Sequence, residues 1–150
     1  MTVRSRLAAA CLCVAWTTAA AAQVVSVRTG EHGDFTRIAF DLAAPTDWTL
    51  YAMPEPRDIL LRFAEPIRTA DASRAFDRID RSRLSAIRWS PDLNGFVLSL
   101  GCDCAPSEFL HNERMLVLDI RPGAFAGPGW PGDAPEPAPR AATPTAAPRP

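Results

Sequence analysis

Between residues 23 and 122, apolar side chains recur at every second position. Ile38, Phe40 and Leu42 alternate with Arg37, Ala39 and Asp41, and Ile59, Leu61 and Phe63 with Leu60 and Arg62. Phe96, Leu98 and Leu100 alternate with Val97 and Ser99, and Leu116, Leu118 and Ile120 with Val117 and Asp119. A period of two sends successive side chains to opposite faces of an extended chain, so each run predicts a half-buried strand. Weaker runs of the same kind lie at 24–28, 48–51, 84–89 and 108–111. Turn chemistry separates them: glycines at 30 and 33, Ala44 before Pro45, prolines at 54 and 56, a stretch from Pro91 to Gly95, and Asn112 before Glu113. Only 72–79 carries a helical signal, with Asp71 or Ser73 as its N-cap. Short strands spaced by turns predict an all-β sandwich of two mostly antiparallel sheets, about 7–8 strands, with one short helical crossover.

The pattern also repeats. Val27 and Arg28 are echoed by Ile87 and Arg88, the strand at 38–42 by that at 96–100, and the strand at 59–63 by that at 116–120, at offsets of 60, 58 and 57 residues. One unit is written twice. Each copy, a meander of about four strands, cannot cover its own apolar face, and packing the copies face to face would cover both. Residues 66–83 would then form the crossover between two related sheets.

The stretches VVSVRTGEHGDFTRIAFDL, WTLYAMPEPRDILLRF and MLVLDIRPG, spanning Val24 to about Gly123, resemble the AMIN domain. AMIN domains are noncatalytic targeting modules of periplasmic N-acetylmuramoyl-L-alanine amidases and of some secretins. The resemblance implies a sandwich of two related sheets and a role in binding peptidoglycan. The Asp that typically precedes the last apolar residue and Pro-Gly is kept as Asp119 in the second copy, whereas the first copy has Arg62.

Outside this domain the composition changes. Arg4 and Arg6 precede an uncharged run at 7–16, and Ala20 and Ala22 form a small-x-small site before Gln23, the order of a cleavable export signal. The apolar run is far shorter than the roughly twenty residues a membrane helix needs. Cys11 has too short an apolar run before it for a lipoprotein signal. Residues 1–22 are therefore expected to be a signal peptide cut after Ala22, with the mature chain periplasmic and without a transmembrane segment. From Pro122 onward lie nine of the fifteen prolines, among Ala, Gly and Thr. Too little apolar surface is available there to offset ordering, so 124–150 reads as a disordered tail or linker in which Trp130 is the one large apolar side chain. The domain proper is 23–123.

Export excludes nucleic acid as a partner and makes oxidation of Cys102 and Cys104 accessible. A disulfide between them, a redox or metal role drawing on His32 and His111, and plain thiols all remain open. Six arginines between Arg68 and Arg88 face only Asp71, Asp77 and Asp80, giving either an anion-facing surface or a solvated connector laced with pairs such as Asp77 with Arg81. If a glycan or anion groove exists, Arg28, Arg37, Arg62, Arg88 and Trp89 are its candidates, with core the first reading for Trp89. Glu31, His32 and Asp34 invite a metal reading, but a polar hairpin loop explains GEHGDF as well. No HExxH, GxSxG or Gly-rich phosphate loop is present, so neither catalysis nor a metal or cofactor is expected. The expected function is noncatalytic envelope binding, with peptidoglycan or another envelope protein as partner. An assembly domain of a periplasmic complex, or a redox or metal-handling protein built on the Cys-x-Cys loop, is the alternative.

Overall fold

The computed structural model describes residues 23–132; the leader at 1–22 and the chain from 133 to 150 lie outside the described residues. Nine strands follow in order: β1 (Gln23–Glu31), β2 (Thr36–Leu42), β3 (Trp48–Ala52), β4 (Asp58–Phe63), β5 (Ile67–Asp71), β6 (Leu84–Ser90), β7 (Gly95–Leu100), β8 (Cys104–His111) and β9 (Met115–Pro122). They form a five-stranded sheet, β5-β1-β2-β9-β8, and a four-stranded sheet, β3-β4-β7-β6. The fold is an all-β sandwich of two related sheets, antiparallel except where β5 lies parallel to β1. Among the described residues no helix is long and apolar enough to cross a membrane.

The duplication appears in the strand register. Shifted by the repeat offsets, the pair Ile38–Leu118 becomes Phe96–Leu61, Phe40–Leu116 becomes Leu98–Ile59, and Val27–Phe40 becomes Ile87–Leu98. All are observed pairs. The copies do not, however, form one sheet each, as the meander reading expects. The hairpin β1-β2 joins β8-β9 in one sheet, and β3-β4 joins β6-β7 in the other. Each copy thus splits across the sandwich, and the central pairings β2–β9 and β4–β7 join one copy to the other. The physical reason is the inward row: Phe40, Phe63 and Phe96 are fully buried and meet with centroids 5.2–6.5 Å apart, bringing β2, β4 and β7 together. Each such aromatic pair adds about 0.5–1.5 kcal/mol beyond its buried area.

The crossover is not helical. After β5, a strand with no alternating apolar signal, Asp71 accepts the Ser73 N–H and closes a turn. Bonds from Ala75 N–H to the Ala72 carbonyl and from Asp77 N–H to the Arg74 carbonyl then make successive turns. Ala75 is fully buried, with Phe76 and Ile79 against the core, and Thr29 donates to the Ala75 carbonyl. Both turn bonds span three residues, and the Ala75 carbonyl, which a helix would pair with an N–H four residues on, accepts from Thr29 instead.

Residues 124–132, assigned by composition to the tail, are placed against the sandwich. Phe125 packs on the main core, and its ring occupies the space a Cβ on Gly127 would need. The chain then runs along β3, with the Ala52 N–H donating to the Pro128 carbonyl and the Trp130 N–H to the Ala52 carbonyl, both at 2.8 Å. A few prolines do not prevent this, because only two ladder bonds are needed and Pro128 supplies an acceptor.

Asn94, in the β6–β7 hairpin at φ 48°, pins that turn to the start of the crossover. Its amide donates to the Phe63 and Glu65 carbonyls, and its oxygen accepts the Ile67 N–H, each at 2.9 Å. Asn94→Ala is expected to lower the unfolding free energy by about 2–4 kcal/mol, through lost hydrogen bonds and left-handed strain. Asn94→Gly relieves the strain and should recover about 1 kcal/mol of that loss. Urea denaturation of both variants measures the difference.

Candidate functional site on an open strand face

The two sheets differ on their outer faces. On the four-stranded sheet, Tyr51, Leu60 and Val97 form a small buried cluster under Trp130, with Met53 and Leu93 at its margin. Trp130 meets Tyr51 edge-on at 5.2 Å, and the Arg62 guanidinium lies 5.3 Å from the indole. This face is covered by the protein's own chain. The outer face of the five-stranded sheet carries no such strap among the described residues.

Register defines what that open face presents. One row across the strands reads Phe109, Val117, Ala39 and Arg28, and the next reads Ser107, Asp119, Arg37 and Gly30. Ala39 and Val117 make a short apolar floor. On one side of the floor, Arg28 makes a two-pronged pair with Asp41, at 2.7 and 2.9 Å. On the other side, Arg37 makes the same kind of pair with Asp119, at 2.7 and 2.8 Å. The guanidinium of Arg37 stands 5.1 Å from the Phe35 ring and 5.4 Å from that of Phe109, while Arg121 approaches Phe35 at 4.2 Å. His32 stacks on Phe35 at 4.3 Å. The result is an alternating stack of aromatic rings and cations beside the floor, worth about 0.5–1 kcal/mol per exposed cation–ring contact.

Asp119 orders this stack. Its residue is only 4% exposed, yet it lies on the outward row, where it pairs with Arg37 and Arg121. The hydrogen bond from Arg37 holds its carboxyl below the usual range against the opposing effect of burial, with the charges of Arg37, Arg121 and His32 acting in the same direction as the bond. The pairs with Asp119 and Asp41 in turn raise Arg37 and Arg28, so both cations persist. Arg28 keeps 64% of its side chain in solvent and Arg37 39%. Planar, oriented guanidiniums of this kind can still offer free N–H edges to a carboxylate.

Of the residues singled out from sequence, Arg28 and Arg37 share this face. Arg62 and Arg88 lie on the outer face of the opposite sheet, and Trp89 packs into the core against Phe96, with ring centroids 5.1 Å apart. The five do not form one groove. Phe35, Phe109, Asp119 and Arg121 join the site instead. Asp119 was visible as an acid in an otherwise apolar strand, but its partner was not, because pairing across 82 residues depends on the sheet order.

The other sequence features resolve locally. Glu31 pairs with Arg83 and accepts from Thr36, Asp34 pairs with Arg121, and His32 stacks, so the GEHGDF segment is a hairpin loop. Among the described residues no group of three or more His, Cys, Asp or Glu is placed to hold a metal ion. Cys102 and Cys104 are joined in a disulfide, and the exposed Asp103 between them pairs with Arg57. In the crossover, Asp77 pairs with Arg74, while Arg81 stacks on Phe76 and donates to the Ser85 carbonyl. A groove of about 420 Å³ beside the open face is lined by Ser26, Arg28, Thr29, Asp71, Arg74 and Arg78, among others. Arg28 belongs to both surfaces.

No protein-family model matches the chain, and no curated protein matches it.

Because the folded carboxyl of Asp119 is depressed, its contribution to stability is complete above the unfolded value of about 3.9 and is lost as pH falls through the lower folded value. Asp119→Asn should therefore cost about 2 kcal/mol at neutral pH, and the gap from the parent should close as pH drops below about 4. Thermal or urea unfolding between pH 7 and about pH 2 follows the convergence. A constant gap across that range would contradict it.

Proposed function

We propose that this protein is a noncatalytic, AMIN-like binding module of the cell envelope that lays the open face of its five-stranded sheet against peptidoglycan. The observation carrying the proposal is the arginine–aromatic stack around the Ala39–Val117 floor. A glycan strand is a flat ribbon with apolar C–H faces, and its peptides end in carboxylates. Phe109 and the half-buried Ala39 supply the apolar contact, with Val117 buried beside them, while Arg28 and Arg37 supply planar donors for carboxylates. Because both arginines already hold an acid, a ligand carboxylate shares them rather than finding bare cations. Affinity is accordingly modest and salt-sensitive, and attachment depends on many contacts along a polymer.

The export signal read in residues 1–22 supports the same location, and the resemblance of 24–123 to AMIN domains supports the same ligand class. The face gathers arginines, acids already bound to them, and rings. That set suits holding a ligand, and it offers no nucleophile with a neighbouring base.

Purified protein should sediment with isolated sacculi at low salt and be released as salt rises. Arg28→Ala and Ala39→Glu should each lower the bound fraction at least about fivefold, the second by placing a carboxylate on the floor. Arg88→Ala, on the opposite face, should leave binding unchanged. Absence of the parent protein from the pellet at low salt would overturn the proposal.

A further inference from the structure

The five-stranded sheet ends at β8, which has no neighbour on its far side among the described strands. Its residues from Ser107 to His111 are all exposed, and it holds the two exposed large apolar side chains of the described chain, Phe109 at 42% and Leu110 at 45%. An exposed edge of this length is a template for a further strand, and natural edges are usually blunted by lysine, proline or a bulge. Here Pro106 is the one proline, the register with β9 is unbroken, and the chain contains no lysine.

The direction of each backbone group can be assigned. The Leu42 N–H bonds to the Arg114 carbonyl and the Gly123 N–H to the Asp103 carbonyl. Even-numbered residues of β9 therefore face β2 and its odd-numbered residues face β8, so Ala105, Ser107, Phe109 and His111 spend their backbone groups on β9. Cys104, Pro106, Glu108 and Leu110 point theirs outward. Pro106, which lacks an N–H, sits where none is needed for the inner ladder.

We infer that β8 pairs antiparallel with β8 of a second copy, about a twofold axis through Phe109. A twofold interface demands an edge complementary to itself, and in this register β8 meets that demand. Phe109 faces Phe109 of the second copy at a non-hydrogen-bonded position, where side chains approach most closely. Glu108 and Leu110 exchange both backbone bonds with Leu110 and Glu108 of the second copy. The carboxylate of Glu108, which accepts the Trp48 indole N–H at 2.9 Å, then lies opposite an apolar side chain rather than its own twin. Moving the axis to Glu108 would oppose two like charges, and moving it to Ser107 would place Pro106, without a donor, opposite Glu108 within the strand, whereas the axis at Phe109 sets it opposite Asn112, past the end of β8. Pairing through Phe109 continues one five-stranded sheet into the other, so the two open faces become a single surface. The pairing stands on the edge alone and does not require the ligand reading of the face.

Sedimentation velocity of the purified protein over about 10–500 µM, the range of a small transient interface, should show a reversible monomer–dimer equilibrium. Leu110→Glu places a carboxylate opposite Glu108 of the second copy and should weaken association about tenfold or more. Leu110→Lys places a cation there and should keep the dimer within about threefold of the parent. Because Leu110 is exposed, both variants should retain the parent's β-sheet circular dichroism. A parent that stays monomeric throughout, a Leu110→Glu variant that associates like the parent, or equal loss in both variants would overturn the pairing.

Discussion

Each half of the chain contributes one hairpin to each sheet, and within the sheets these hairpins meet only where β2 pairs with β9 and β4 with β7. The rest of the molecule depends on those two central ladders. Neither half can complete a sheet alone, and Phe96 of β7 reaches Phe40 of β2 and Phe63 of β4 only when the two halves come together. The ladder β2–β9 also carries Arg37 opposite Asp119 on its outward side. The contact that closes the fold and the contact that orients the open face are thus two sides of the same pair of strands, which is why a carboxylate sits nearly buried on a surface where polar groups are normally solvated.

Among the described residues, the duplication explains why the two outer faces differ. The position equivalent to Arg37 is Gly95, and the position equivalent to Asp119 is Arg62, a cross-strand pair in the same register on the other sheet. A Cβ at Gly95 would fall 2.3 Å from the Leu61 carbonyl oxygen, so no side chain fits there without backbone movement. With glycine opposite it on β7, Arg62 meets no side chain across that ladder at this point, and its guanidinium lies over the Trp130 ring. The five-stranded sheet, built from both copies, keeps an exposed polar lattice. The four-stranded sheet instead presents an apolar patch sealed by the segment following β9.

Alternation of apolar residues made eight of the strands legible, because a half-buried strand must write its two faces into the sequence at period two. β5 was not legible. Ile67 alone of its residues is buried, and its parallel pairing to β1 leaves no alternating mark. The offsets near 58 residues predicted the related registers but not the exchange of hairpins, since any arrangement that matches equivalent strands satisfies the same spacing. Composition likewise missed the strap at 124–132, where two backbone bonds and the rings of Phe125 and Trp130 suffice to dock a proline-rich segment. At the site, Arg28 and Arg37 could be named because outward positions of a strand are fixed by its pattern. Phe35, Phe109, Asp119 and Arg121 could not be joined to them until the order of strands brought residues from opposite ends of the chain into adjacent rows.

The open face of the five-stranded sheet is proposed to be the surface that meets the cell wall. The most direct test is a heteronuclear NMR titration of the isotopically labelled protein with soluble peptidoglycan fragments. Dose-dependent shift changes are expected, concentrated in β2 and β9 and at Arg28, Phe35 and Phe109, with the Arg28 and Arg37 guanidinium N–H signals among those that move. Changes confined to β3, β4 and β7, or none at all at saturating fragment, would contradict it.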